Sequence, residues 1–122
     1  MKKIFIADDD KDLVEIITYR LKQEGFEVDF ALTGEEVIPK VQQMLPDLLI
    51  LDIMLPGIDG VTLSNKLKEN EKTKNIPIIV LTGKIGVKDL FMTEKQLTVS
   101  AYFQKPVLLS TLVTKIKELL NV

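Results

Sequence analysis

The chain has 122 residues, 46% of them hydrophobic, which suits one compact domain spanning residues 1–122. Sixteen basic and eighteen acidic residues leave a net charge of −2. No basic block or stripe stands out, which argues against direct nucleic-acid binding by this chain. The absence of cysteine and histidine excludes disulfides, thiol catalysis, thiolate or imidazole metal sites, Ser-His and Cys-His catalytic pairs and a phosphohistidine formed on this chain.

The first element is Lys3-Ile4-Phe5-Ile6-Ala7, a short buried strand closed by Asp8-Asp9-Asp10. A helix from about Lys11 to Glu24 follows. Its apolar residues Leu13, Val14, Ile17 and Leu21 fall at helical spacing, Asp9 or Asp10 can cap its start, and Gly25 suits the left-handed position past its end. Residues Phe26 to Ala31 alternate strictly between apolar and polar, as a strand with one wet face does, most simply at a sheet edge. Thr33 and Glu36 have capping-box spacing and open a second helix to about Met44. Pro39 inside it removes an amide and crowds the Glu35 carbonyl, so a kink or a shortened first turn is expected.

Leu48-Leu49-Ile50-Leu51 runs without alternation into Asp52, the pattern of a strand buried on both faces. The loop Ile53 to Gly60 follows, and a third helix begins at Asp59 or Gly60 and fades in the polar Glu69–Asn75 run. Ile76 to Leu81 is a fourth strand, apolar throughout, ended by Thr82-Gly83-Lys84. Residues 85–97 give a weaker fourth helix. Ser100 to Gln104 form a fifth, more polar strand, then Lys105-Pro106, with Pro106 near the first position of a fifth helix striped by Leu112, Val113, Ile116 and Leu119.

Strands alternating with helices imply a parallel sheet covered on both faces, an α/β doubly wound architecture. The first, third and fourth strands are apolar throughout and belong inside; the second and fifth are more polar and belong at the edges. With short right-handed crossovers this gives the order 2-1-3-4-5 of flavodoxin-like folds. The C-terminal ends of parallel strands share one edge of the sheet. That edge gathers Asp8, Asp9 and Asp10 from the first strand, Asp52 from the third, Thr82 from the fourth and Lys105 from the fifth.

Carboxylates crowded together resist ionisation, and a hard divalent cation relieves them. A lysine supplies a compact positive charge and a threonine hydroxyl a donor to an oxyanion. Together these form a site for a phosphoryl group, with Asp52, central between the cation and the two donors, as the best nucleophile. No run approaches membrane-spanning length, and the start is too short in apolar residues for a signal peptide, so a soluble cytoplasmic protein is expected.

The motifs Ile6-Ala7-Asp8-Asp9-Asp10, Leu51 to Gly60, Leu81-Thr82-Gly83 and Lys105-Pro106 stand in order, each after a strand. In this the chain resembles the receiver domains of two-component response regulators, chemotaxis-Y-like, over essentially its full length. The resemblance implies that Asp52 accepts a phosphoryl group from a phosphohistidine on a sensor histidine kinase or phosphotransfer protein, or from a small phosphodonor. It implies Mg²⁺ (or Mn²⁺) held by Asp8, Asp9, Asp52 and the backbone carbonyl of Met54, and phosphoryl oxygens held by Thr82 and Lys105. Thr82 and Tyr102 would form the conformational switch, and the Lys105-Pro106 bond would be cis. Such a domain assists its own phosphorylation and dephosphorylation but turns over no separate substrate, and so is not an enzyme in the usual sense.

The exposed part of the fourth helix, fifth strand and fifth helix is a candidate surface for an effector partner or a dimer. Met54 and Lys84 occupy variable positions that modulate loss of the phosphoryl group in that family, and Gly83 replaces a more usual alanine. Two other readings compete. Asp8 and Asp10 imitate the Asp-x-Asp of haloacid-dehalogenase-type phosphatases, which would make Asp8 the nucleophile. A receiver-like interaction module would never take phosphate at all.

Overall fold

In a computed structural model, which describes residues 1–57, 60–83 and 99–122, the five expected strands form one parallel sheet. In chain order the elements are β1 (Lys3–Ala7), α1 (Lys11–Gln23), β2 (Glu27–Ala31), α2 (Gly34–Met44), β3 (Leu48–Asp52), α3 (Gly60–Glu69), β4 (Ile78–Thr82), β5 (Ala101–Gln104) and α4 (Leu109–Leu120). The strand order is β2-β1-β3-β4-β5. The helix expected over residues 85–97 lies outside the described residues, as do Ile58, Asp59 and Lys84.

The apolar runs behave as their patterns require. Every residue of β3 and β4 is buried, and so are Ile4 to Ala7 in β1. Successive side chains of each strand point to opposite faces, so the central strands feed two separate cores. On one face Phe5, Leu49, Leu51, Ile78 and Val80 pack with Val37, Val41, Leu63 and Leu67 of α2 and α3. On the other, Ile4, Ile6, Leu48, Ile50, Ile79 and Leu81 pack with α1 and α4 through Val14, Ile17, Leu21, Leu112, Val113 and Ile116. Each such side chain moved out of water contributes about 1.5–3 kcal/mol before the entropy of ordering is set against it.

Local chemistry differs from expectation at three points. Asp10 caps α1 as expected, accepting from Leu13 N at 3.2 Å. Thr33 caps α2 only through its backbone; its hydroxyl instead donates to Glu36 Oε1 at 3.0 Å, so the capping box closes side chain to side chain. Pro39 does not shorten α2, which starts at Gly34 and continues past it to Met44. The last helix does not open at Pro106. It begins at Leu109 with Leu108 at the cap position, and Val107 packs against the α1–α4 core on the way. The edge strand β2 carries Phe30 at its open end, 39% exposed, with the ammonium of Lys40 5.8 Å from the ring centre and bonded to the Phe30 carbonyl.

Helix α1 ends as its sequence suggests. Gly25 has φ +93° just past the Glu24 cap, and a Cβ built there would meet nothing within 4 Å. The restraint on this position is backbone conformation alone, so Gly25→Ala should destabilise the protein by roughly 1–2 kcal/mol. Urea unfolding should show a lower midpoint with an unchanged slope. A wild-type midpoint would refute this reading of the cap.

Candidate functional site

The site is built by register. Ala7 of β1 lies opposite Leu51 of β3, so Asp8 and Asp52 follow as neighbours one step beyond the last paired residues. Asp8 shares its strand face with Ile4 and Ile6, and Asp52 shares the same face with Leu48 and Ile50. Both carboxylates are therefore drawn to the same side of the sheet end. Asp8 is fully buried and Asp52 is 5% exposed, while Asp9 stands in solvent.

Lys105 answers these two buried charges from the far side of the sheet. Its amide donates to the Thr82 carbonyl at 2.7 Å, continuing the β4–β5 ladder by one residue. Its ammonium lies 2.8 Å from Asp8 Oδ2 and 3.2 Å from Asp52 Oδ2. The remaining carboxylate oxygens are held by backbone amides two residues further along the chain. Asp8 Oδ1 accepts from Asp10 N and Asp52 Oδ1 from Met54 N, both at 2.9 Å. Sequence reasoning missed this pair of contacts. The signal was present, because an aspartate leading into a turn commonly accepts the amide two residues on.

Burial pushes the Asp8 carboxyl above the ordinary aspartate range; the adjacent Lys105 ammonium and the bond from the Asp10 amide pull it back only in part, and the Asp52 charge adds to the rise. For Lys105 burial opposes the charge, but contact with Asp8 and then Asp52 outweighs it, so the ammonium titrates above the usual lysine range. Both groups hold their protons more firmly in the folded chain. Each stabilising contribution is therefore complete below the group's unfolded pKa and is lost as pH rises through the raised folded one.

The oxygens of Asp8, Asp9 and Asp52 include one from each residue within 4.8 Å of one another, the one such cluster among the described residues. Asp8 Oδ2 is buried and accepts no well-directed hydrogen bond despite its ion pair. Hard carboxylate oxygens with spare lone pairs, set this closely, fit a small divalent cation.

Thr82 is fully buried at the end of β4. Val80 pairs with Tyr102, which places Thr82 diagonally across from Tyr102 on the same face, at a spacing where side chains interact. Tyr102 is half-buried against the core that α2 and α3 cover. The Lys105-Pro106 bond is cis, as expected. Sequence reasoning thus placed Asp8, Asp52, Thr82 and Lys105 on one rim, and the structure brings them there; Asp9 and Met54 lie at its solvent side.

Removing the cation should expose what it compensates. Lys105→Met leaves two buried carboxylates facing each other and should cost roughly 1–3 kcal/mol, less than a fully dry pair because Lys105 keeps some contact with water. Adding Asp8→Asn should restore most of the loss. Thermal melts of the single and double variants in chelator check this; a neutral Lys105→Met would remove the ion pair from the account.

The comparisons with known proteins agree with this geometry. Residues 4–117 match the model of the response regulator receiver domain. Among curated relatives, the phosphate regulon transcriptional regulatory protein PhoB of Rhizobium meliloti is 44% identical over 84 residues, covering 69% of this chain and 37% of that protein. The alkaline phosphatase synthesis transcriptional regulatory protein PhoP of Bacillus subtilis is 37% identical over 83 residues, covering 68% of this chain and 34% of that protein. The matched part of this chain thus spans little more than a third of the length of either regulator. Among solved structures, a CheY-like response regulator receiver domain protein from Methanospirillum hungatei superposes with a TM-score of 0.89 at 30% identity, covering 99% of this chain and 94% of that one. A two-component response regulator from Clostridium difficile gives 0.89 at 30% identity, covering 99% and 97%. A parallel sheet in the order 2-1-3-4-5, an acidic cluster at its C-terminal edge and a family match across nearly every residue lead to one conclusion: the chain belongs to the response regulator receiver domains.

Proposed function

We propose that residues 1–122 act as one receiver domain, a phosphoacceptor switch in a two-component phosphorelay, and that Asp52 is the residue phosphorylated. The observation that carries this reading is the pairing of Asp52 with Lys105 beside Asp8. Asp52 has one oxygen fixed by the Met54 amide and the other 3.2 Å from a cation that can also neutralise an incoming phosphoryl group. An oxygen of Asp52 attacks phosphorus; the bond from phosphorus to the donor atom, an imidazole nitrogen or an acyl-phosphate oxygen, breaks, and the leaving group keeps the electron pair.

Asp8, Asp9, Asp52 and the Met54 carbonyl would hold Mg²⁺ (or Mn²⁺), which when bound offsets the negative charge of the phosphoryl oxygens. Lys105 and Thr82 bind those oxygens. Thr82 moves toward the new group, Tyr102 follows from across the β4–β5 pair, and the domain shifts to a second conformation that an effector reads. The donor is a histidine kinase or phosphotransfer protein, the setting is cytoplasmic, and no separate substrate is turned over. No described helix is long and apolar enough to cross a membrane. Asp8 is the poorer nucleophile: it is completely buried whereas Asp52 keeps some exposure, and Lys105 sits closer to it, 2.8 Å against 3.2 Å.

Treatment with acetyl phosphate and Mg²⁺ should modify Asp52. Peptide mapping should find no label elsewhere, and both chelation and Asp52→Asn should abolish it. Label on Asp8, or label that survives Asp52→Asn, would overturn the assignment. Mg²⁺ alone should also raise the melting temperature, because it binds only the folded chain, and Asp8→Asn should remove that rise.

A further inference from the structure

The Asp52 pocket is walled by the segment that follows β3, and that segment is tied to a distant part of the fold. Ile53 and Leu55 are both buried in the α2–α3 core, whereas Met54 between them is 49% exposed at the rim. Beyond them the Pro56 carbonyl accepts a 2.8 Å hydrogen bond from the amide of Gly34, the first residue of α2. Gly34 is itself buried. The first amides of a helix have no partner within the helix, so this bond satisfies a donor that would otherwise be stranded.

The approach is close. Gly57 has φ +97°, and a Cβ there would sit 3.4 Å from Gly34 N and from Glu35 Cγ and Oε1. The segment is thus fixed at two ends: by the Met54 amide on Asp52 Oδ1 at one and by the Gly34 amide on the Pro56 carbonyl at the other.

Resting on the reading of Asp52 as a Mg²⁺-dependent phosphoacceptor, we infer that the Gly34 amide is a positioning group for that site, holding the Met54 peptide at Asp52 through Pro56. Without this bond the segment keeps its two apolar anchors and the 3.3 Å bond from the Leu55 amide to the Asp52 carbonyl, but among the described residues it loses the one backbone bond that holds it beyond Leu55. The Met54 peptide is then held at Asp52 by its local bonds alone, and less firmly. Outer groups that orient ligands commonly matter at about tenfold or more in metal affinity. The start of α2 and the phosphoacceptor pocket are therefore coupled, although Gly34 opens α2 and Asp52 ends β3.

Proline at position 34 deletes the donor while suiting the first position of a helix, and Thr33 before it already has the extended backbone, φ −133° and ψ 153°, that a following proline demands. Gly34→Ala keeps the donor and adds bulk. Mg²⁺ affinity by calorimetry, and the rate of modification by acetyl phosphate, should be measured for both in the full chain. Gly34→Pro removes the donor and sets its ring against the Pro56 carbonyl, so it should bind Mg²⁺ about tenfold more weakly and take phosphate more slowly, with a lowered melting temperature in chelator but a cooperative transition, while Gly34→Ala stays near wild type.

Wild-type affinity in a folded Gly34→Pro, or an equal loss in Gly34→Ala, would overturn the inference. Should Gly34→Pro fail to fold, Gly57→Ala decides the question from the other side of the contact. It cannot keep φ +97° without strain, so it should weaken Mg²⁺ binding, and unchanged affinity would overturn the proposal. A wild-type chain that neither binds Mg²⁺ nor takes phosphate removes the underlying reading; one that does both, alongside an unaffected Gly34→Pro, removes only this step.

Discussion

Two carboxylates buried at the ends of adjacent parallel strands cannot both stay ionised without a partner, and the ammonium of Lys105 is the partner that reaches both. Lys105 reaches them from the end of β5, which lies beyond β4 at the edge of the sheet. It arrives level with the ends of β1 and β3, which the bond from its own amide to the Thr82 carbonyl secures. The compensation is incomplete, because burial still holds Asp8 above the ordinary carboxylate range. A structure that retains such a charge carries it at a cost in stability, a common mark of residues kept for chemistry.

The architecture was legible because burial is written in the strands. Continuous apolar runs at Ile4 to Ala7, Leu48 to Leu51 and Ile78 to Leu81 read as central strands, and the alternation of Phe26 to Ala31 reads most simply as an edge. Once the order was set, the convergence of Asp8, Asp52, Thr82 and Lys105 followed from parallel topology alone. Local chemistry was less legible. The Thr33 hydroxyl had two available partners, the Glu36 amide and the Glu36 carboxylate, and spacing cannot choose between them. Pro106 has the residue type of a helix start, but the chain must first return from the sheet edge over its face, which Val107 and Leu108 accomplish. The contact of Gly34 with Pro56 had no sequence signal, since a bond between two backbone groups depends on where the segments lie and not on their side chains.

The division of the interior into two cores bears on how a change at the rim could spread. Asp8 and Asp52 share the strand face that α1 and α4 cover, whereas Thr82 and Tyr102 share the face that α2 and α3 cover. The acidic groups and the candidate switch pair thus stand over different cores. Lys105 bridges them, with its backbone bonded to Thr82 and its side chain to the two aspartates. Lys105 thus touches both sides of the rim, with its backbone at the end of β4 and its ammonium at the two aspartates.

That bridge also sets the order of competition at the site. Asp8 Oδ2 is the oxygen that Lys105 holds at 2.8 Å, and it is a natural oxygen for a divalent cation to share. Asp8 cannot give full electrostatic weight to both. As Asp8 gives up part of its hold, Lys105 is left with Asp52 Oδ2 and with whatever negative group Asp52 acquires. A phosphoryl group carries more negative charge and more acceptor oxygens than the carboxylate it modifies, so it draws the ammonium away from Asp8. If Asp52 is phosphorylated as proposed, the Lys105 ammonium would shift from Asp8 toward the modified Asp52.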